Sequence, residues 1–170
     1  MLRRMLGLLL LLSGGFVLAQ VTTGTISGTV KDTTGAVLPG AQVIVLNEAT
    51  GISRTVQTDA EGRYSFWTVK PVSYPIPTDG PVGKMLLLMG RHPYRPAHTH
   101  MIISAPGYEP VTTHVFVEGD KYIDSDAVFG VKNSLVAEFA RHESGVASDG
   151  RRMNKPYYTV SYDFGLARSQ

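Results

Sequence analysis

Apolar and polar residues alternate along short runs of this chain, and turns rich in glycine and proline separate the runs. In TISGTVKD, Ile26, Gly28 and Val30 fall on one face, whereas Ser27 and Thr29 fall on the other. A period of two residues is typical of a β-strand with one buried face. Similar runs recur as AQVIVLN, ISRTVQT, GRYSFWTVKP, HTHMIISA, PVTTHVFV and PYYTVSYDFGLA. The pattern predicts an all-β chain, folded as a single antiparallel β-sandwich with few short helices.

Two segments depart from this alternation. The connection PVSYPIPTDGPVG contains repeated proline, which lacks a backbone donor and fixes φ, so we expect no regular structure there. The segment DAVFGVKNSLVAEFARHE is ambiguous. Leu135, Ala137 and Phe139 alternate as in a strand, but the apolar spacing from Phe129 onward also fits one face of a helix. The pattern leaves both possibilities open.

The first nineteen residues have the parts of a secretory signal. Arg3 and Arg4 give a basic start, residues 6–12 are apolar, and small or apolar residues lead to Ala19. We expect cleavage before Gln20 and export of the mature protein to the periplasm or the exterior. The apolar stretch is shorter than the ~20 residues of a spanning helix, so the sequence predicts no stable membrane insertion.

Composition restricts the partners and the metal chemistry. The chain has 16 Lys and Arg against 14 Asp and Glu, and loss of Arg3 and Arg4 with the signal would bring the charge near zero. This balance argues against nucleic acid as a partner, while the oligomeric state stays open. Because the chain has no cysteine, a metal site would have to use histidine, tyrosine or carboxylate ligands.

The stretch RPAHTH contains two histidines two positions apart. On a strand, His98 and His100 project from the same face and can converge on one ion, whereas a helix would separate them. Upstream, Tyr74 lies in the proline-rich connection, and its phenolate would be a hard anionic ligand suited to a ferric ion. The alternative is two exposed polar histidines and a tyrosine packed at a loop corner.

The chain carries SYPIPTDGPVG, RPAHTHMIISAPGYEP and DSDAVFGVKNSLVAEF in this order. These motifs closely resemble the catalytic half of the intradiol ring-cleavage dioxygenases, and among them the hydroxyquinol 1,2-dioxygenase branch. DAEGRYSF and PYYTVSYDFGLA extend the resemblance over residues 59–166. It implies cleavage of the aromatic ring of a catechol or hydroxyquinol by O2, which gives a muconate-type dicarboxylate.

The resemblance also implies a site, a non-haem Fe(III) held by two tyrosines and two histidines. It assigns Tyr74, His98 and His100 as metal ligands. Tyr74 would also be catalytic, since the matching tyrosine leaves the iron when substrate chelates, and Arg95 would stabilise charge beside the substrate. His114 stands where catechol-type members often have glutamine. Besides Arg95, the implied substrate pocket contains Ile76, Pro77 and Val128.

The resemblance fails at one implied ligand. Ser53 stands where the family's other tyrosine ligand is expected, and a neutral hydroxyl does not bind iron as a phenolate does. Tyr64, Tyr157 and Tyr158 are the alternative phenolates, although they match positions at which the family uses tyrosine for packing.

The first strands, in GTISGTVKDTTGAVLPGAQVIVLNEATGISRTVQTDAEGRYSF, resemble a carboxypeptidase regulatory-like domain, which is a small transthyretin-like sandwich. The predicted division is a signal peptide at 1–19, regulatory-like strands at 20–66 and an intradiol dioxygenase core at 67–170. The leading hypothesis is an exported iron dioxygenase. The alternatives are a non-enzymatic exported binding module with a degraded iron site, and a recombined or truncated gene product.

Overall fold

The structure is a computed structural model that describes residues 23–47 and 51–170. The predicted signal peptide lies outside the described residues. The strands are β1 Thr23–Asp32, β2 Gln42–Asn47, β3 Ile52–Gln57, β4 Arg63–Val69, β5 Tyr74–Pro75, β6 Tyr94–Arg95, β7 His98–Ser104, β8 Val111–Val117, β9 Val136–Ala137, β10 Ala140–His142, β11 Gly145–Val146, β12 Arg152–Met153, β13 Tyr157–Ser161 and β14 Phe164–Leu166. They are accompanied by the α-helix α1, Pro81–Leu88, and a 3-10 helix, Asn133–Leu135.

Strand β1 organises the first five-stranded sheet. Its neighbours are β4, β13 and β14, and β10 extends the sheet beyond β13. Ile26 lies between Phe66 of β4 and Val160 of β13, and all three side chains are buried. The alternation predicted for TISGTVKD therefore places Ile26 and Val30 in the core.

The second five-stranded sheet has the order β3-β2-β7-β8-β9. In β7, Met101 and Ile103 are completely buried, and they pair with Val45 and Val43 of β2, which are also buried. Buried residues from both five-stranded sheets belong to one apolar cluster, so the inner faces of the two sheets form a common core.

The mostly β architecture was predicted, but the purely antiparallel sheets were not found. Strand β1 runs parallel to both β13 and β14, and β8 runs parallel to β9. The chain reaches β13 only after crossing to the second sheet and returning, so β13 is not a hairpin partner of β1. Local alternation identifies a strand without fixing the direction of its distant partner.

Two local predictions change in the structure, and one ambiguous segment is resolved. The proline-rich connection contains two regular elements, β5 and the start of α1. The helix tolerates Pro81 because this residue stands in the first turn, where a missing N–H breaks no helical hydrogen bond. The ambiguous segment forms the 3-10 helix followed by the short strands β9 and β10. PYYTVSYDFGLA is two strands, interrupted at Tyr162 and Asp163. Within the described part of the chain, no helix has the length and apolar character to cross a membrane.

The fold requires glycine at position 28. A Cβ atom there would lie 1.8 Å from the backbone oxygen of Tyr162, in the turn between β13 and β14. We expect Gly28→Ala to destabilise the protein by about 3 kcal/mol, since the two backbones must separate. Gly165→Ala in β14 is the matched control, because nothing lies within 4 Å of its added Cβ. Denaturant unfolding of both variants tests this, and equal stability would contradict it.

Candidate metal and substrate site

The predicted ligands lie on the outer face of the second sheet. Along β7 the core-facing positions are Thr99, Met101 and Ile103, so His98 and His100 project away from the core. Two connections cover this face, the first joining β4 to β7 and the second following β8. His98 is buried beneath them, whereas His100 is half-buried.

Pairing between β7 and β8 adds a third histidine to this face. His100 lies directly opposite His114, with ring centroids 4.3 Å apart. The Nε2 atoms of His98 and His100 are 3.1 Å apart, and the His98 and His114 ring centroids are 5.0 Å apart. The ligand atoms of all three histidines lie within 4.8 Å of one another. They form a cluster compact enough to hold one metal ion.

The orientation of His98 is fixed by a backbone hydrogen bond. Its Nδ1 lies 2.7 Å from the carbonyl oxygen of Pro96, which can only accept, so Nδ1 carries the proton. Burial lowers the pKa of His98 to about 4, which keeps the ring neutral near pH 7. The lone pair is therefore on Nε2, which faces the cluster, in the arrangement typical of metal-binding histidines.

Tyr74 reaches the same point from the first connection. Strands β5 and β6 pair Tyr74 with Arg95, and this short ribbon lies over the histidine face. The Tyr74 hydroxyl is 3.4 Å from Nε2 of His98, and one guanidinium nitrogen of Arg95 is 3.3 Å from the same atom. Tyr74, Arg95 and His100 thus converge on the lone pair of His98.

A buried ion pair fixes Arg95. Its guanidinium donates to Asp126 at 3.1 and 3.3 Å, and both side chains are almost fully buried. The Asp126 carboxylate also accepts the backbone N–H groups of Val128 and Gly130. Burial alone would raise the pKa of Asp126, but the bonds from Arg95, Gly130 and Val128 outweigh burial and lower it. The second connection is thereby fastened to the first.

Backbone geometry leaves room for this pair. A Cβ at Gly130 would lie 2.9 Å from a guanidinium nitrogen of Arg95 and 3.2 Å from a carboxylate oxygen of Asp126. Further bonds join the same connections, since Arg91 donates to the carbonyls of Asp126 and Ala127, and Ala127 donates to that of Tyr94. The cover over the histidines is a bonded unit.

The predicted pocket residues lie on these connections. Ile76 is half-buried and donates its N–H to the Pro93 carbonyl, while Pro77 is exposed. Val128 follows Asp126 and is 46% exposed. The structure brings Tyr74 and Arg95 together with the histidines. The pocket role of Ile76, Pro77 and Val128 stays a prediction.

Ser53 lies in the same lateral row of the sheet as the histidines. It pairs with Leu46, and Leu46 pairs with His100. Laterally paired side chains share a face, but two strand spacings of ~4.8 Å separate Ser53 from His100. Ser53 is exposed, and its short hydroxyl does not span this distance.

The alternative tyrosines belong to the other sheet. The Tyr64 hydroxyl donates to the backbone oxygen of Tyr162 at 2.6 Å, and burial raises the pKa of Tyr64, so this phenol stays protonated. Tyr157 and Tyr158 are part of β13, where Tyr157 stacks on His142 and Tyr158 lies against Lys70. The structure therefore gives these tyrosines packing roles.

Sequence reasoning missed two residues of the site. Asp126 carries no motif that distinguishes it from the neighbouring acidic residues of DSDAVFG, although a buried carboxylate requires a cationic partner. Phe116 is completely buried and packs against the rings of His98 and His114. Its place on the polar face of PVTTHVFV, two residues after His114, was the available signal.

Comparison with known proteins places the chain in a family. The family model Dioxygenase_C, described as a dioxygenase, matches residues 47–168. A hydroxyquinol 1,2-dioxygenase of Nocardioides simplex is 40% identical over 156 residues, which cover 84% of this chain and 53% of that protein. The chain belongs to the intradiol dioxygenase family.

Other members of the intradiol family extend the comparison. A hydroxyquinol 1,2-dioxygenase of a Rhizobium species is 54% identical over 65% of this chain and 38% of its own length. The crystal structure of the Pseudomonas putida DLL-E4 hydroxyquinol 1,2-dioxygenase superposes with a TM-score of 0.80 at 36% identity, covering 89% of this chain and 58% of that one. This chain therefore spans about half the length of the relatives that it matches.

The alignment with the Nocardioides simplex enzyme also includes strands that precede residue 67. Residues 67–170 make up less than two thirds of the chain, so an alignment over 84% must include much of the preceding strands. The comparisons do not support the predicted resemblance of those strands to a carboxypeptidase regulatory-like domain. The division at residues 66 and 67 stays a prediction.

The ion pair predicts an acid-sensitive contribution to stability. Asp126→Ala should destabilise the protein by about 3–5 kcal/mol at pH 7, because it leaves the Arg95 charge buried and unpaired. The folded pKa of Asp126 is below its unfolded value, so the pair stabilises above about pH 4 and loses its effect as the pH falls further.

Denaturant unfolding between pH 3 and 7 measures this effect. The difference between wild type and Asp126→Ala should shrink as the pH falls through 4, whereas the exposed control Asp124→Ala should remain near wild type throughout. A difference that grows on acidification would contradict the assigned role of the pair.

Proposed function

We propose that this chain is the core of an exported non-haem Fe(III) intradiol dioxygenase that cleaves a catechol or hydroxyquinol with O2. The observation that carries the proposal is the convergence of Tyr74, His98 and His100 beside Arg95 on one face of the sheet. The family relationship supports the reaction class, and the hydroxyquinol 1,2-dioxygenases among its relatives favour the hydroxyquinol branch.

The donor set fits iron. Imidazole nitrogen is a suitable iron ligand, and two nitrogens at ~2.1 Å from an ion in perpendicular directions lie about 3 Å apart. The His98 and His100 Nε2 atoms are 3.1 Å apart, which matches that geometry. His98, His100 and the Tyr74 phenol would hold the metal. Iron bound there would supply a Lewis acid and a redox partner for the aromatic diol.

Protein groups around the ligands would handle the charge and the protons of the substrate. Tyr74 as phenolate can accept a proton from an incoming diol hydroxyl, since its oxygen faces the point at which the ligands converge. Arg95 is oriented by Asp126 and would stabilise the anionic diol and the negative charge that develops during ring opening. Both atoms of O2 enter the product, a muconate-type dicarboxylate.

The covering connections would shape the substrate pocket. Ile76, Pro77 and Val128 lie on these connections and would provide apolar surface for the flat face of an aromatic ring. The exposed fraction of Val128 leaves an approach from solvent. A small diol and O2 would enter from this side.

A non-enzymatic binding module is the second candidate. The exposed Ser53 at the position of the expected tyrosine favours it, since a site with one phenolate retains ferric iron less well. The two functions differ in one observable, because a binding module with this site would take up iron without consuming O2 when a diol is added.

The proposed function predicts a coloured, active iron protein. Iron-loaded wild type should absorb visible light through phenolate-to-Fe(III) charge transfer, and addition of hydroxyquinol should shift the band and consume one O2 per diol. Tyr74→Phe should abolish the band and lower turnover by at least ~100-fold, because it removes the phenolate and the proton acceptor.

Tyr158→Phe is the matched control. It makes the same change in β13 of the other sheet and should leave the colour and the O2 uptake at the wild-type level. A wild-type protein that takes up no iron would contradict the whole proposal. Iron uptake without O2 consumption would contradict the dioxygenase and support the non-enzymatic binding module.

Export is a separate part of the proposal, supported by the signal-like residues 1–19. Expression of the full chain in a bacterium should give a protein outside the cytoplasm whose N-terminal residue is Gln20. Mass spectrometry of fractionated cells measures this. Recovery of the uncleaved chain from the cytoplasm alone would contradict export.

A further inference from the structure

The metal site lacks a fourth protein ligand at the position where the resemblance predicts one. Ser53 is exposed and lies two strands from His100. The tyrosines proposed as substitutes have their contacts in the other sheet. A different side chain on the outer face of the second sheet can supply the missing donor.

We propose that His114 completes the site as a third imidazole ligand, so that His98, His100, His114 and Tyr74 hold the metal. The inference rests on the metal site of the proposed function and deepens it. The resulting set is three neutral imidazoles and one phenolate. It carries one negative charge fewer than a set of two tyrosines and two histidines.

Strand register places His114 at the site. His114 is the direct cross-strand partner of His100, and such partners have Cβ atoms ~4.5–5.5 Å apart on the same face. Its ring centroid is 4.3 Å from that of His100 and 5.0 Å from that of His98. Each ring of the three is therefore a neighbour of the other two.

The spacing of the ligand atoms is compatible with one ion. The ring nitrogens of the three histidines lie within 4.8 Å of one another. Two nitrogens bound at ~2.1 Å can be at most ~4.2 Å apart, so separations of up to 4.8 Å need to shorten by ~0.6 Å at most. A change of this size is within the range of side-chain rotation.

Packing against Phe116 and a backbone hydrogen bond limit the freedom of two rings of the cluster. Phe116 is completely buried, and its ring centroid lies 5.3 Å from that of His98 and 5.8 Å from that of His114. The hydrogen bond from His98 to Pro96 also fixes the orientation of the His98 ring. A cluster held in this way binds a metal with little loss of side-chain freedom.

The ligand set determines which probes are informative. Imidazole suits zinc, copper, nickel and iron, so a site of three imidazoles binds divalent ions as well as iron. Zn(II) is diamagnetic and reports on each histidine by NMR, and Co(II) gives visible bands that respond to the number of nitrogen donors. Both probes report binding without requiring turnover.

The test measures metal binding by the full chain. In a ¹⁵N NMR titration of wild type with Zn(II), the ring nitrogens of His98, His100 and His114 should move to metal-bound shifts, whereas those of His92 and His142 should not. Zn(II) affinity should fall at least ~100-fold in His114→Gln, since removal of a residue that only orients a ligand typically costs ~10–100-fold.

His142→Gln is the matched control, because His142 lies in β10 of the other sheet, where it bonds to Thr159. It should bind Zn(II) and Co(II) as wild type does. The wild-type NMR result does not depend on the folding of any variant. Movement of His98 and His100 without His114 would overturn this inference and leave the proposed function intact. No movement of any histidine would overturn both.

Discussion

The pairing of β7 with β8 is the constraint on which the site depends. It places His100 opposite His114 and His98 opposite Phe116, all on the outer face of the second sheet. Side chains alternate along a strand, so a slip of one residue would turn the histidines of the slipped strand toward the core. Met101 and Ile103 prevent this slip, because they would then be transferred from the completely buried core to the outer face. The core thus fixes the register, and the register makes the cluster.

The outer face of the second sheet can form a site because two connections cover it, and hydrogen bonds join these connections to each other. The ion pair between Arg95 and Asp126 carries a desolvation cost, which is offset by hydrogen bonds that satisfy both groups. Its consequence is positional rather than simply stabilising. Arg95 is held with one nitrogen toward His98, and pairing with Arg95 in turn brings Tyr74 over the histidines. The ion pair that joins the two connections therefore also positions the side chains proposed to act on the substrate.

Much of the fold could be predicted from the sequence, because strands follow from the alternation of neighbouring apolar and polar residues. Alternation identified the long strands, and the spacing of His98 and His100 correctly predicted that both project from one face. The parallel partners of β1 could not be predicted, since their direction depends on how the chain crosses between sheets. Asp126 was missed because its importance arises from a partner thirty-one positions away, which no local pattern marks.

The family relationship alone does not determine the metal ligands of this chain. The relationship extends through most of the residues, yet the chain spans about half of the relatives that it matches and carries serine at one implied ligand position. His114 offers a way to complete the site with residues already held by the sheet. A crystal structure of the iron-loaded protein, with anomalous scattering measured at the iron edge, tests this most directly. We expect one iron between the ring nitrogens of His98, His100 and His114 and the phenolate oxygen of Tyr74. An iron bound elsewhere, or none at this face, would contradict it.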